Sequence, residues 1–201
     1  NDPIEPQGGL VALYGSLAPQ GAILKRSAAD SSLFERKGRA IVFNSLEDLS
    51  NRIDDSKLEV KQDDFLILQN AGPRSGTGMP ESGYLPIPAK LSNAGVKDMV
   101  RISDARMSGT AFGTIILHVT PEASVGGPLG LVRTGDIIEL SVSERRLDLN
   151  VSENELKIRR DEFKQNPEMK ENNAKRGYAW LYQNHVMQAD EGCDFDFLKA
   201  K

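Results

Sequence analysis

The strongest constraint on this chain is a series of seven or eight short strand-like segments that precede any long helical pattern. They run from Leu10 to Leu13, Ala22 to Lys25, Arg39 to Asn44, Phe65 to Leu68, Val100 to Ile102, Gly113 to Val119, Asp136 to Val142 and Arg146 to Val151. β-Branched and aromatic residues fill them, and glycine-rich turns separate them. Phe65-Leu66-Ile67-Leu68 is wholly apolar, the pattern of a strand covered on both faces, whereas Leu147, Leu149 and Val151 alternate with polar residues in a half-buried one. Ser45, with Asp48 three residues on, reads as the capped start of a helix whose apolar face continues through Leu49 and Ile53.

A doubly wound sheet would alternate strands with long helices, and that rhythm is missing here. The expected fold class is therefore α+β and β-rich: a compact β barrel or two-sheet core decorated by helices. Residues 1–152 are expected to form this core. Beyond it Glu155 to Phe163 is charged and helical, Asn172-Asn173 breaks the pattern, and Tyr178, Leu181, Tyr182 and Val186 return at helical spacing. Residues 153–201 are accordingly expected as a helical tail packed on the same domain.

Of the 201 residues, 39% are hydrophobic and 27% charged, with a net charge of −4 spread through the chain. This argues for a soluble globular domain and against nucleic acid as a partner, since phosphate binding needs concentrated basic surface. The densest basic run, Lys157-Ile158-Arg159-Arg160, is answered at once by Asp161 and Glu162, as on a solvated helix face. No run of about 20 apolar residues occurs, so no membrane segment is expected, and no signal pattern opens the chain. A cytoplasmic location is the expectation. The chain begins at Asn1 without an initiator Met, which reads as a piece of something longer. Cys193 is its one cysteine, so it has no internal disulfide and too few thiolates for a zinc or iron–sulfur site of its own.

Chemistry is most readily placed in two glycine-containing loops. The first is Gly72-Pro73-Arg74-Ser75-Gly76-Thr77-Gly78-Met79-Pro80-Glu81, within a long Gly/Pro/Ser stretch from Asn70 to Pro88. Its glycines permit close backbone approach and its prolines stiffen the rest. Glu81 at its end is placed either to ligate a hard cation or act as an acid or base, or to stand as a solvated surface glutamate. No Gly-Lys-Ser/Thr follows, so it is not a phosphate loop. The second loop, Ser103-Asp104-Ala105-Arg106-Met107-Ser108-Gly109-Thr110-Ala111-Phe112-Gly113, sets small residues around one serine between two strands. Backbone N–H groups there could converge on an anion. A serine hydrolase is disfavoured, because the chain has no Gly-x-Ser-x-Gly elbow. His118, between Leu117 and Val119, can turn outward by alternation and reads as a structural histidine, and Cys193 falls in the tail, away from both loops.

Both loops resemble signatures of the C-terminal domain of the family of dihydroxy-acid and sugar-acid dehydratases. Gly72-Pro73 with Gly78-Met79-Pro80-Glu81 is similar to that family's metal-glutamate loop. Ser103 to Thr110, with His118-Val119-Thr120-Pro121-Glu122-Ala123, resembles its catalytic-serine segment, and Gly15-Ser16-Leu17-Ala18-Pro19 with Gly21-Ala22 resembles the opening of the domain. Asp104 to Ala111 and the tail from Gly177 to Leu198 look closer to the sugar-acid branch, acting on arabinonate or xylonate, than to dihydroxy-acid dehydratase.

The resemblance implies a small β barrel flanked by helices, like the swivelling domain of aconitase-type enzymes. It implies a parent hydro-lyase that dehydrates an aldonate to a 2-keto-3-deoxy acid with Mg2+ and an iron–sulfur cluster. Ser108 maps to the base, Thr110 to its support and Glu81 to one Mg2+ ligand. The cluster ligands and the other Mg2+ ligands would belong to an N-terminal domain of the same enzyme, a homodimer or tetramer, so this chain alone is expected to be inactive. Dihydroxy-acid dehydratase and a non-catalytic binding module are the alternatives.

Overall fold

The computed structural model describes residues 2–4, 6–81, 85–109, 111–165 and 174–199. Thr110 and the Asn172-Asn173 helix break lie outside the described residues. Every segment read as a strand takes that form: β1 (Val11–Leu13), β2 (Gly21–Leu24), β3 (Glu35–Phe43), β4 (Phe65–Leu68), β5 (Arg101–Ser103), β6 (Ile115–Thr120), β7 (Ile137–Ser141) and β8 (Arg146–Leu149). They join in one sheet of order β1-β2-β6-β5-β4-β3-β7-β8. Its two edges also meet. Tyr14, just past β1, bridges Arg146 in β8, with the Tyr14 N–H on Arg145 O (2.9 Å) and the Leu147 N–H on Tyr14 O (2.8 Å). The result is a nearly closed barrel, β-rich with four α-helices among the described residues, in which paired edges replace open ones.

Alternation sorts the side chains into two layers. Ala40 and Val42 of β3, Phe65 and Ile67 of β4, and Ile102 of β5 point into the barrel with Leu13, Leu24, Leu140 and Leu147. Ile41, Phe43, Leu66 and Leu68 point outward, where Leu49 and Ile53 at α1 (Leu46–Arg52) cover them. This is why β4 is apolar at every position. The start of α1 follows its sequence signal: Ser45 Oγ accepts the Asp48 N–H (3.1 Å), and the Asp48 carboxylate accepts the Asn44 N–H (2.9 Å).

A second short helix, α2 (Ala89–Asn93), has no counterpart in the sequence reading, and β3 begins at Glu35, earlier than its apolar core suggests. Among the described residues two longer helices follow the barrel, α3 (Glu153–Gln165) and α4 (Gly177–His185). Leu156 of α3 enters the barrel core, and the Arg159 guanidinium donates to Leu131 O and to the Asp136 carboxylate. Among the described residues no helix is long and apolar enough to cross a membrane.

Strands β3, β4, β5 and β6 are mutually parallel. The backbone beyond the carboxyl ends of β4, β5 and β6 therefore gathers at one end of the barrel, where open parallel sheets commonly bind ligands. The loops carrying Glu81 and Ser108 are the first two of these three segments.

Candidate functional site

The three segments are held together by two buried acids. Asp104, fully buried just after β5, accepts the Ala71 N–H of the first loop (2.9 Å) and the Ala123 N–H beyond β6 (2.8 Å). Burial pushes the Asp104 carboxyl up to about 7 despite these two donors, and the nearby Glu122 charge adds to the rise. Glu122, 1% exposed, accepts the Arg74 N–H through both oxygens (2.9 and 3.0 Å) and the Gln188 side-chain amide (2.7 Å). Gln188 accepts the Glu122 N–H in return (2.9 Å), and Arg74 Nε donates to Val186 O (2.8 Å). Gly72 is required here: a Cβ at that position would lie 2.3 Å from Glu122 Oε2.

On this platform the two candidate loops meet directly. Glu81 and Arg106 form an isolated parallel bridge, and the Arg106 N–H donates to Pro80 O (3.3 Å). Glu81 itself is exposed, whereas Ser108, two residues past the bridge, is half-buried. Ser108 lies on an open cleft of about 690 Å3. Ala12 and Ile23 of the β1–β2 edge, Lys25, His118 and Asp190 share its walls, but Glu81 does not. The two residues are thus joined through their backbones rather than through one common cavity.

The neighbours of Ser108 are each tethered. The Met107 N–H donates to His118 Nε2 (2.9 Å), and the Lys25 ammonium donates to Gly109 O. The Ala111 N–H closes the turn on Ser108 O (3.1 Å). At the far end of the loop Gly113 (φ +99°) sits where a Cβ would lie 2.0 Å from the Arg101 guanidinium. Arg101 is in turn paired with Asp98 (2.6 Å), and that acid accepts the Thr114 N–H and hydroxyl (2.8 and 2.7 Å).

Two placements correct the sequence reading. His118 does not turn outward by simple alternation; it is half-buried, lines the cleft and binds the serine loop. Cys193, which the sequence reading sets in the tail away from both loops, has its Sγ 3.4 Å from Sδ of Met79, inside the Glu81 loop. The tail comes back over the site because Val186 bridges Phe195 and the Met187 N–H donates to Asp194 O (2.8 Å). Asp104, Glu122, Lys25 and Gln188 received no role from sequence. The available hint was an acid set among small or apolar neighbours, as in Asp104-Ala105 and Pro121-Glu122-Ala123.

Among the described residues no group of three or more His, Cys, Asp or Glu is placed to hold a metal. Glu81, an exposed carboxylate, fits a hard cation as one ligand of a set completed elsewhere. Cys193, the one cysteine, supplies too few thiolates to hold an iron–sulfur cluster by itself, and its Sγ packs on Met79.

A near-closed mixed barrel thus gathers the serine loop and the glutamate loop at one end of four parallel strands. The chain belongs to the dihydroxy-acid/6-phosphogluconate dehydratase family, whose C-terminal domain matches residues 1–193. It is 54% identical over 197 residues to the 6-deoxy-6-sulfo-D-gluconate dehydratase of Pseudomonas putida, covering 98% of this chain and 33% of that protein. It is 49% identical over 193 residues to the L-arabinonate dehydratase of Rhizobium leguminosarum bv. trifolii, covering 96% and 33%. With the dihydroxy-acid dehydratase of Sulfolobus acidocaldarius the identity is 41% over 158 residues, covering 79% and 27%. The chain thus spans about a third of the length of the curated relatives it matches most fully.

Proposed function

We propose that this chain is the C-terminal part of a cytoplasmic hydro-lyase that dehydrates a sugar acid to a 2-keto-3-deoxy acid. It contributes Ser108 as the base, Thr110 as that base's support and Glu81 as one Mg2+ ligand. The observation that carries this reading is the Glu81–Arg106 bridge, which binds the carboxylate loop to the serine loop two residues from Ser108. Preference for an aldonate over a branched dihydroxy acid rests on relatives. Those named for sugar acids match at 49–54% over nearly the whole chain, against 41% over 79% for the archaeal dihydroxy-acid enzyme.

In this scheme Ser108 Oγ takes the proton from C2 of the substrate. The C2–H electrons form the C2–C3 double bond as the C3–O bond breaks. The departing hydroxide leaves as water by taking up one proton, which balances the one removed from C2. The enol then loses its C2 hydroxyl proton to solvent while C3 gains one, giving the ketone. A serine hydroxyl is a weak base unless positive charge stabilises its ionised form. Lys25 brings an ammonium to the carbonyl of Gly109, one residue beyond Ser108. Mg2+, held in part by Glu81, would supply further positive charge to the acid substrate. No step is assigned to an iron–sulfur cluster on this chain. A cluster and the remaining metal ligands belong, on this reading, to an N-terminal domain of the same enzyme, itself a homodimer or tetramer, and the chain alone does not turn over.

The metal part of the reading is tested with Glu81→Gln in the full-length enzyme. Glutamine keeps the size of the side chain and removes the charge a hard cation prefers. Calorimetric titration should show weaker Mg2+ binding, and lost activity should partly return at high Mg2+. An unchanged binding isotherm would leave Glu81 as a solvated glutamate.

A further inference from the structure

Strand β6 carries an irregularity that regular pairing with β2 does not require. Between the pairs Gly21↔Thr120 and Ile23↔Leu117 the register slips, so β6 holds one residue more than β2. The surplus falls at His118, whose φ is +57°. A histidine in the left-handed region is uncommon in a strand and is strained unless its surroundings hold it there. Bulges of this kind re-aim a side chain. Here the bulge swings the ring onto the serine loop.

Two hydrogen bonds follow from that one residue. The His118 N–H donates to Ala105 O (2.9 Å), and His118 Nε2 accepts the Met107 N–H (2.9 Å). The Thr120 hydroxyl donates to His118 O (2.9 Å) and helps hold the bulge. Because Nε2 accepts, the ring proton of the neutral imidazole is on Nδ1. Neutrality is favoured by the site: burial first, and then the Arg106 charge, lowers the histidine below its ordinary range. His118 is thereby held in the one protonation state whose Nε2 can accept the Met107 N–H.

We infer that His118 is a positioning residue for Ser108: the β6 bulge exists to aim a neutral imidazole at the Met107 N–H and so fix the serine against the cleft. This deepens the proposed function and rests on Ser108 being the base. His118 does not itself take the substrate proton, since Nε2 is already engaged. Its effect should appear in turnover more than in substrate affinity, as for residues that orient a reacting group.

The test compares two substitutions in the full-length enzyme. His118→Phe keeps a ring and removes the acceptor, while His118→Gln sets an amide oxygen close to where Nε2 lies. Both variants bear the same backbone burden at φ +57°, so their difference reports the acceptor. His118→Phe should lower kcat about 10- to 100-fold, with KM changed less than about threefold, and His118→Gln should recover most of the loss. Amide hydrogen exchange on the unaltered enzyme gives a reading that no folding defect can obscure: the Met107 N–H should be protected. The inference is overturned if His118→Phe keeps near-normal kcat, if the folded Gln variant is no better than Phe, or if the Met107 amide exchanges freely. Ser108→Ala, measured alongside, separates the two levels. If it is inactive while His118→Phe is normal, only the histidine's role is lost. If it retains turnover, the reading of Ser108 falls and the histidine's role with it.

Discussion

Glu81 and Arg106 pair backbone to backbone, so the loop that ends in the carboxylate and the loop that carries Ser108 form one structural unit. Beneath that pair Asp104 receives N–H groups from both neighbouring segments, and Glu122 locks the first loop to the tail through Arg74 and Gln188. A disturbance at either loop is therefore felt at the other.

Asp104 should impose a pH dependence on stability. Its folded-state pKa, about 7, lies above the ordinary carboxyl value near 4, so the folded state holds a proton that the unfolded state has released. The resulting stabilisation is fully present below about pH 4 and is lost as pH rises through about 7. Thermal unfolding of the chain, followed by circular dichroism from pH 5 to 9, should show Tm falling up to about pH 7 and levelling above it, relative to Asp104→Asn, which does not titrate. Parallel curves for the two proteins would mean that Asp104 is ionised throughout.

Cys193 should be dispensable for any cluster in the full-length enzyme. Its thiol packs against Met79, and it is the one cysteine of the chain. Cys193→Ser should leave iron and inorganic sulfide per protomer unchanged in an elemental analysis. A fall in either would make this sulfur a ligand and require the tail to rearrange in the intact enzyme.

Much of the barrel was legible in the sequence because its signals are local. Phe65 to Leu68 had to be covered on both faces, and Ser45 with Asp48 had to start a helix; both follow from side chains acting on their own neighbourhood. The early part of β3 was missed because Glu35, Arg36 and Lys37 are exposed, and their strand form comes from pairing with β7, about 100 residues later. The site was legible only as two separate loops. Which acids lie buried beneath them depends on three strands ending together, and the aim of His118 depends on a bulge that alternation cannot show. The contact of Cys193 with Met79 spans 114 positions and arises only when the tail folds back.

The proposed removal of the C2 proton by Ser108 is read out by solvent deuterium exchange at C2 of the aldonate substrate in full-length enzyme carrying Ser108→Ala. A positioned base is worth about 10²–10⁴-fold in rate. kcat should fall by that factor, with little change in substrate binding and with loss of C2 exchange. Near-normal turnover, or exchange at the unaltered rate, would assign the proton to another residue and leave Ser108 as a small side chain in a tight turn.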